Sequence, residues 1–308
     1  MTDIIISEYM DGAAVADLKQ SFDVVYDPDL VDDLPRLLSL LPEARALVVR
    51  NRTQVNDAMM AAGPNLKVIG RLGVGLDNID LAAADARGVP VCPAYGANAD
   101  SVAEYVMATM LILKRPVFNA LPAMLAGEFP RPALSHGAEL GGSVLTIIGG
   151  GVIGQSVMKR AIAMGMTAVI VDPQLPLGWN EGLEADVLSL EDGLRVGDAI
   201  SLHVPLTDGT KNLIDAARLS LMKPSAVLIN TARGGIIDHA ALAASLTEGK
   251  LAGAAIDVFA SEPASAEELA CFIDVPNLIL TPHVAGLTVD ANTRVGAITA
   301  ANIRNHLE

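Results

Sequence analysis

The fold is decided by the stretch Val144-Leu145-Thr146-Ile147-Ile148-Gly149-Gly150-Gly151-Val152-Ile153-Gly154, in which an apolar run ends in a glycine-rich turn. The apolar run predicts a β-strand, and residues 155–165 continue as a helix. A second apolar run over residues 168–171 then ends at Asp172. This order of strand, glycine turn, helix, strand and acid predicts a dinucleotide-binding unit.

Each glycine of the turn has its own task in such a unit. Gly149 permits the tight turn, Gly151 lets the backbone approach a pyrophosphate, and Gly154 lets the helix and the strand pack closely. The helix N-terminus offers N–H groups and a positive dipole end to the phosphates. Asp172 is placed to accept hydrogen bonds from the ribose hydroxyls, and its charge disfavours a 2′-phosphate, so NAD is expected rather than NADP. The alternative is an ordinary tight turn of an α/β protein.

Composition limits the classes to which the protein can belong. The chain has 308 residues, enough for two domains, and 51% of them are hydrophobic. Many of these are Ala, Val, Leu and Ile, which is typical of parallel sheets covered by helices. A net charge of −15 and an aromatic fraction of 3% argue against nucleic acid and anionic membranes as partners.

Motifs that the sequence lacks limit the classes further. Cys92 and Cys271 form neither a CxxC pair nor a metal-spaced cluster, so we expect reduced thiols and no metal. The N-terminus enters a strand-like run without a basic leader, and no apolar run approaches the roughly 18 residues of a membrane span. The expectation is a cytoplasmic protein.

Strand and helix patterns alternate along the chain, which predicts parallel sheets. The first hundred residues lack the glycine fingerprint and predict a flavodoxin-like unit. A long helix is expected over residues 99–114, a connection over 116–142, and a closing helix over 289–307. The fold class is therefore α/β, with two doubly wound parallel-sheet domains: a flavodoxin-like one (residues 1–98 plus 283–308) and a Rossmann one (residues 99–282).

Three segments of the second half place a polar side chain just after an apolar run. These side chains are Arg233, Glu262 and His283. In open parallel sheets the carboxyl ends of the strands line the ligand crevice, so we expect the three to converge beside the nicotinamide.

These three residue types suit the oxidation of a secondary alcohol. NAD takes the hydride, and a neutral imidazole takes the proton. A carboxylate beside the imidazole stabilises the imidazolium and holds the ring, and an arginine grips a substrate carboxylate through two hydrogen bonds. Singly, each residue has a plain alternative as a surface charge, a strand-ending residue or a cap.

Further motifs carry a family resemblance: Ser201-Leu202-His203-Val204-Pro205-Leu206-Thr207, Asn230-Thr231-Ala232-Arg233-Gly234, Asp257 with Glu262-Pro263, and Thr281-Pro282-His283. With the glycine turn, they make the chain resemble the D-isomer-specific 2-hydroxyacid dehydrogenases over essentially its whole length. The resemblance implies a reversible, NAD-dependent oxidation of a 2-hydroxy acid to a 2-keto acid. It implies that His283 is the acid/base, Glu262 its partner and Arg233 the carboxylate binder.

The resemblance also implies the remaining contacts. Those to the cofactor are Gly149, Gly151, Val152, Ile153, Gly154, Asp172, His203, Pro205, Thr210, Thr231, Ala232, Arg233, Asp257, His283 and Gly286. Those to the substrate are Leu72, Gly73, Val74, Gly75 and Asn98, with the N–H groups of Val74 and Gly75 on the carboxylate. At the start of the long helix, Ser101 with Glu104 predicts a capping box.

Arg50 and Arg52 bear on the choice of substrate. Side chains two positions apart on a strand face the same way, so both arginines are expected in one cleft as a second anion site. The stretch resembles the corresponding loops of phosphoglycerate and sulfolactate dehydrogenases, which implies a doubly anionic acid such as 3-phosphoglycerate or sulfolactate. The alternative is a pair of surface charges.

Other functions fit parts of the sequence. A reductase of a small keto acid, of the glyoxylate or hydroxypyruvate type, is the nearest alternative, and an NAD-sensing scaffold similar to the co-repressors of this family is a more distant one. Zinc alcohol dehydrogenases lack support in the cysteine spacing, and no tyrosine fits the Tyr-x-x-x-Lys pair of the short-chain class. The resemblance implies a homodimer, for which the apolar helix over residues 102–113 offers a surface unless it is buried within one subunit.

Overall fold

The computed structural model describes residues 2–178 and 185–308. The chain divides into two compact units, which we call unit 1 (Met1–Asn98 with Leu287–Glu308) and unit 2 (Ala99–Gly286). Residues 283–286, which the sequence pattern groups with the closing helix, belong to unit 2. Each unit is built on a parallel sheet, so the expected α/β class is confirmed.

Unit 1 contains a five-stranded parallel sheet in the order β2-β1-β3-β4-β5. Its strands are β1 (Ile4–Ile6), β2 (Val24–Tyr26), β3 (Ala46–Val49), β4 (Val68–Arg71) and β5 (Val91–Pro93). Its first helices are α1 (Gly12–Leu18), α2 (Leu34–Leu40), α3 (Asp57–Ala62) and α4 (Leu81–Ala86). The residues of β1 and β3 are all buried, which explains why these strands are continuous apolar runs: helices cover both faces of the sheet.

Unit 2 contains a seven-stranded parallel sheet in the order β12-β11-β10-β9-β6-β7-β8. Its strands are β6 (Val144–Ile148), β7 (Thr167–Val171), β8 (Ala185–Val187), β9 (Ala199–Leu202), β10 (Val227–Asn230), β11 (Gly253–Ile256) and β12 (Leu278–Leu280). Its helices are α5 (Ala99–Lys114), α6 (Leu121–Leu125), α7 (Val152–Ala163), α8 (Leu190–Val196), α9 (Ala216–Leu219), α10 (His239–Thr247) and α11 (Ala266–Leu269). The strand order reverses at β6, which pairs with β7 on one side and β9 on the other.

The long helix α5 is part of the core of unit 2. Val102, Val106 and Met110 are among its buried side chains, and they pack in the same cluster as β6 and β7. The helix begins at Ala99, so the predicted capping role of Ser101 is wrong: this residue lies inside the first turn. The apolar face over residues 102–113 is largely buried within unit 2 and is not a free surface.

The closing helix, α12 (Val289–Leu307), belongs to unit 1 and packs in one cluster with its strands. Thr288 caps it by accepting a hydrogen bond from the N–H of Ala291. Gly70 on β4 lets the helix approach, because a Cβ there would lie 3.0 Å from Ile303 and 3.1 Å from Thr299. Among the described residues, none of the helices has both the length and the apolar character needed to span a bilayer.

Candidate active site

The candidate catalytic and cofactor residues follow six of the seven strands of the unit 2 sheet. They are Gly149–Gly154 after β6, Asp172 after β7, His203 after β9, Arg233 after β10, Glu262 after β11 and His283 after β12. Because all seven strands are parallel, these residues lie at one edge of the sheet. This edge includes the point at β6 where the strand order reverses, which is where open α/β sheets bind ligands.

His283 and Glu262 are in direct contact. Nδ1 of His283 lies 2.6 Å from Oε2 of Glu262, and the two side chains are 42% and 33% exposed. A pair with this geometry and this access to solvent can exchange a proton with a ligand while the carboxylate holds the ring. The predicted pairing of these two residues is therefore present in the fold.

Asp257 holds the backbone that carries His283. Its carboxylate accepts hydrogen bonds from the hydroxyl of Thr281 (2.6 Å) and from the N–H groups of Val284 and Ala285 (both 2.9 Å). These bonds steady a turn in which His283 has a φ of 54°, in the left-handed region. Asp257 has no exposed surface. Its predicted contact with the cofactor stays a prediction.

Arg233 is joined to the same region through its neighbour Gly234. A Cβ on Gly234 would lie 2.0 Å from the carbonyl carbon of Phe259 and 2.4 Å from the nitrogen of Ala260, so the two segments pack backbone against backbone. Buried Asn230 shapes the turn: its Oδ1 accepts from the N–H of Ala232 and its Nδ2 donates to the carbonyl of Arg233. The close packing places the Arg233 turn against the loop that leads to Glu262.

Glu268 holds the Glu262 loop, and it is absent from the predicted site residues. Its carboxylate accepts hydrogen bonds from the N–H of Ala260 (2.7 Å), the N–H of Ser261 (3.2 Å) and the hydroxyl of Ser261 (2.7 Å). Burial acts to raise the pKa of Glu268, but the hydrogen bonds from Ser261 and Ala260 outweigh it and lower that pKa. A signal was present in the sequence, because Ser265 and Glu268 have the spacing of a capping box. In the fold Ser265 caps α11, while the Glu268 side chain bonds to the loop instead.

The glycine turn after β6 fits a bound dinucleotide. A Cβ on Gly149, whose φ is 104°, would lie 2.7 Å from the carbonyl oxygen of His203, and a Cβ on Gly154 would lie 2.1 Å from the oxygen of Gly149. A Cβ on Gly151 would meet nothing within 4 Å, so open space borders this residue. Gly151 also begins α7 without a side-chain cap, and Val152 is 61% exposed. The N–H groups at the start of α7 are thus left to a ligand, as an NAD diphosphate requires.

Two side chains flank this turn. Asp172 accepts hydrogen bonds from the N–H of Gly150 and the N–H of Gln174, both at 2.9 Å, which holds its carboxylate beside the glycines. Nε2 of His203 lies 2.8 Å from the hydroxyl of Ser201, and burial lowers the pKa of this imidazole to about 4. His203 is therefore neutral at physiological pH and serves as a hydrogen-bonding residue rather than a second base.

The other predicted cofactor residues lie at the same sheet edge. Pro205 and Thr210 form one turn, in which the Thr210 hydroxyl donates to the carbonyl of Pro205 at 2.6 Å. Thr231 and Ala232 follow β10, and Gly286 ends the His283 segment. The described residues contain no group of three or more His, Cys, Asp or Glu side chains suited to a metal ion.

The predicted substrate loop lies in unit 1, directly after β4. Leu72 and Gly73 are buried, whereas Val74 and Gly75 are half-buried. Gly73 has a φ of 143°, and a Cβ there would lie 1.7 Å from Nη1 of Arg71, so the turn requires glycine. Asn98 is half-buried at the end of unit 1, and its Oδ1 is buried without a hydrogen-bond partner in the described chain.

Arg50 and Arg52 have different partners, which corrects the expectation that they face one cleft. Strand β3 ends at Val49, so the alternation of a strand does not continue to Arg52. Arg52 is exposed and forms an ion pair with Asp32 through both of its terminal nitrogens. Arg50 is half-buried, with Nη2 3.0 Å from Oδ1 of Asn292 and its guanidinium 5.8 Å from the centre of the Tyr9 ring.

Comparison with known proteins gives a consistent result. Residues 107–285 match the family model described as D-isomer specific 2-hydroxyacid dehydrogenase, NAD binding domain. The (S)-sulfolactate dehydrogenase of Chromohalobacter salexigens is 47% identical over 310 residues, which cover 100% of this chain and 99% of that protein. The hydroxypyruvate reductase of Thermotoga maritima is 40% identical over 260 residues, 84% of each chain.

Solved structures share the fold over the whole chain. A protein of Thermus thermophilus has a TM-score of 0.88 and 31% identity, covering 99% of this chain and 96% of that one. The D-lactate dehydrogenase of Aquifex aeolicus, solved with NAD and lactic acid, has a TM-score of 0.82 and 26% identity, covering 98% and 94%. The chain therefore belongs to the D-isomer specific 2-hydroxyacid dehydrogenases, the NAD-dependent oxidoreductases that interconvert 2-hydroxy acids and 2-keto acids.

Proposed function

We propose that this enzyme reversibly oxidises a 2-hydroxy acid that carries a second anionic group at its far end. The observation that carries the chemistry is the 2.6 Å contact between Nδ1 of His283 and Oε2 of Glu262 at the sheet edge. Unit 2 would hold NAD, and unit 1 would supply substrate contacts. The family match supports this division, because residues 107–285 lie within unit 2.

His283 is the proposed acid/base. The Nδ1–H of the neutral imidazole donates a hydrogen bond to the Glu262 carboxylate, which leaves Nε2 to accept the proton of the substrate hydroxyl. NAD, when bound, accepts the hydride. In the reverse direction the imidazolium returns its proton to the carbonyl oxygen. Buried Asp257 holds the turn of His283 and Glu268 holds the loop of Glu262, so the two side chains stay in contact.

Arg233 is the proposed binder of the substrate carboxylate in unit 2, and the Leu72–Gly75 loop is the proposed anion-binding turn of unit 1. Arg233 presents a planar fork that can form two hydrogen bonds to a carboxylate or polarise the adjacent oxygen. Val74 and Gly75 are the half-buried residues of the loop, and adjacent N–H groups in such a turn can receive an anion. In a protein with a net charge of −15, local groups of this kind are needed to attract an anionic substrate.

Arg50 is the proposed binder of the second anion. It follows β3, which pairs with β4, so Arg50 and the Leu72–Gly75 loop lie at the same edge of the unit 1 sheet. Arg50 forms no ion pair with any described residue, whereas Arg52 is already paired with Asp32. The relationship to a sulfolactate dehydrogenase supports an acid with a sulfonate at its far end.

Steady-state kinetics of two matched variants test this proposal. Arg50→Gln should raise the KM for sulfolactate or 3-phosphoglycerate by about tenfold or more, while the KM for lactate or glycerate stays near that of the native enzyme. Arg52→Gln removes the same charge two residues away and should change neither KM by more than about twofold. Equal effects of Arg50→Gln on both kinds of acid would overturn the second anion site.

The alternative is a reductase of a small keto acid, which the hydroxypyruvate reductase relative supports. The same absorbance assay at the NADH band distinguishes the two. A doubly anionic acid should have the highest kcat/KM of the panel. If glyoxylate or hydroxypyruvate has the highest value, the alternative holds.

We further propose a cytoplasmic homodimer. Both cysteines are free, as expected of a reducing compartment. Because α5 is buried, the proposed contact with a second copy is the apolar segment Phe118, Leu121, Leu125 and Phe129, whose side chains are between 63% and 79% exposed. Exposed apolar patches of this kind mark sites of association.

A further inference from the structure

We propose that Glu8 determines the charge of the second anion: by filling a cluster of backbone N–H groups beside Arg50, it restricts the far end of the substrate to a singly charged group such as a sulfonate. The proposal rests on the proposed function, because it concerns the same Arg50 site. Glu8 is then a specificity residue of the enzyme, and a dianionic phosphate is not a preferred group at the far end of the substrate.

Glu8 is a carboxylate enclosed by a loop. It lies two residues after β1, and only 4% of its surface is exposed. Oε1 accepts hydrogen bonds from the N–H groups of Arg50 (2.8 Å) and Thr53 (3.0 Å). Oε2 accepts from those of Arg52 (3.1 Å) and Asn51 (3.3 Å). Four successive N–H groups thus converge on one side chain.

Such a concave group of N–H donors is a typical binding site for a phosphate oxygen. Here the protein's own carboxylate occupies it, so these donors are not available to a substrate. The carbonyls of the same loop are also held: Nδ2 of Asn78 donates to the oxygens of Arg50 (3.3 Å) and Thr53 (2.7 Å). The loop is therefore fixed from both sides, and its backbone sets the position of Arg50.

The charges around Arg50 favour a monoanion. Glu8 and Tyr9 follow β1, Asn292 comes from the closing helix, and Arg52 on the same loop is paired with Asp32. Among the charged side chains joined by these contacts, Arg50 and Glu8 have no ion-pair partner in the described chain. Burial lowers the pKa of Arg50, and the nearby Glu8 raises it, so the two side chains interact electrostatically.

A sulfonate carries one negative charge at any physiological pH. A phosphate monoester carries between about 1.5 and 2 negative charges at pH 7, because its second pKa is about 6. One guanidinium can balance the sulfonate, whereas the second charge of the phosphate meets the buried carboxylate of Glu8 without a counter-charge. The site should therefore accept sulfolactate over 3-phosphoglycerate.

The first test uses the native enzyme. We expect kcat/KM for sulfolactate to exceed that for 3-phosphoglycerate by at least about tenfold at pH 8, with the ratio falling at pH 5.5, where the phosphate is mostly singly charged. Competition of both substrates in one mixture cancels every ionisation of the enzyme that affects both substrates alike. A ratio that stays constant with pH overturns the proposal.

The second test uses Glu8→Gln, which removes the charge and keeps the size of the side chain. Its oxygen still accepts from two of the four N–H groups, while its NH₂ group faces the other two. The ratio of kcat/KM for sulfolactate to that for 3-phosphoglycerate at pH 8 should fall about tenfold, mainly through the KM for the phosphate, with kcat on sulfolactate within about threefold of native. Asp27→Asn is the matched control, because Asp27 is another unit 1 carboxylate, paired with Arg36, and its loss should leave the ratio unchanged. An unchanged ratio in folded Glu8→Gln contradicts the proposal.

The outcomes separate this inference from the proposed function. If neither acid is used better than lactate or glycerate, the second anion site itself is absent. If both are used well and equally at pH 8, the anion site stands but Glu8 does not select its charge. If Glu8→Gln fails to fold, the pH dependence of the native ratio still decides the question.

Discussion

At the scale of single residues, the site depends on side chains that hold other side chains. His283 is oriented by Glu262, and its backbone is bound by Asp257. Glu268 does the same for the loop of Glu262, and Glu8 for the loop of Arg50. Preorganised groups of this kind accelerate reactions because they need not reorganise as charge develops.

The proposed acid/base role predicts a graded loss of activity. His283→Asn should lower kcat by about 10² to 10⁴-fold, because no group then accepts the proton, and Glu262→Gln should cause a smaller loss. The dissociation constant for NADH, measured by fluorescence titration, should change little in either variant. Retention of native turnover by His283→Asn would refute the mechanism.

At the scale of elements, two glycines of the turn between β6 and α7 have different roles, one in the stability of the fold and one in cofactor binding. A Cβ on Gly154 would lie 2.1 Å from the oxygen of Gly149, whereas a Cβ on Gly151 meets nothing within 4 Å. Gly154 therefore serves the packing of helix against strand. Gly151 leaves open the space in which the cofactor phosphates are expected.

These two glycines form a matched pair for mutagenesis. Gly154→Ala should lower the free energy of unfolding by about 1–3 kcal/mol through overpacking. Gly151→Ala should change it by less than about 0.5 kcal/mol, yet weaken NADH binding, because a methyl group enters the open space. Chemical unfolding and calorimetric titration check the two effects. Native NADH affinity in Gly151→Ala would contradict the placement of the phosphates.

His203, at the end of β9, gives this region a pH dependence. Burial lowers the pKa of its imidazole from 6.5 to about 4. Between these values the unfolded chain binds a proton that the folded chain does not, so the free energy of unfolding falls as pH falls through this window. The contribution is fully present above pH 6.5 and is lost by about pH 4.

The expected loss in the free energy of unfolding between pH 6.5 and pH 4 is about 2 kcal/mol. This is less than the full pKa shift would give, because His203 keeps some exposed surface. Chemical unfolding at several pH values should show a flatter pH dependence for His203→Gln than for the native protein. His136→Gln, at an exposed histidine, is the control and should reproduce the native curve. Parallel curves for all three proteins would remove His203 as the cause.

At the scale of the whole molecule, the acidic chain has to concentrate positive charge where its substrate binds. Within unit 1 this role falls to Arg50 after β3, and within unit 2 to Arg233 after β10. The remaining surface of unit 2 includes the apolar segment Phe118, Leu121, Leu125 and Phe129. Its exposure is costly for a single chain in water, which is why we assign it to a second copy.

The dimer is tested by charging this segment. The native protein should elute at twice the mass of the 32.0 kDa chain, and the double variant Leu125→Lys, Phe129→Lys at the mass of one chain. Ile273→Lys alters an equally exposed apolar residue elsewhere in unit 2 and should leave the dimer intact. Light scattering reports the masses. A native protein that is monomeric at micromolar concentration would exclude this assembly.

The amino-acid sequence by itself determined the α/β class, the glycine turn and the grouping of Arg233, Glu262 and His283 at strand ends. These follow from local patterns, namely apolar periodicity, glycine spacing and the rule that parallel strands end at one edge. Only the tertiary structure decided that Arg52 pairs with Asp32, that Asp257 is buried beneath the histidine turn and that Glu8 fills the loop beside Arg50. The physical reason is distance along the chain: Glu8 and Arg50 are 42 residues apart, and Arg50 and Asn292 are 242 apart. No local pattern records which of several arginines finds a partner so far away.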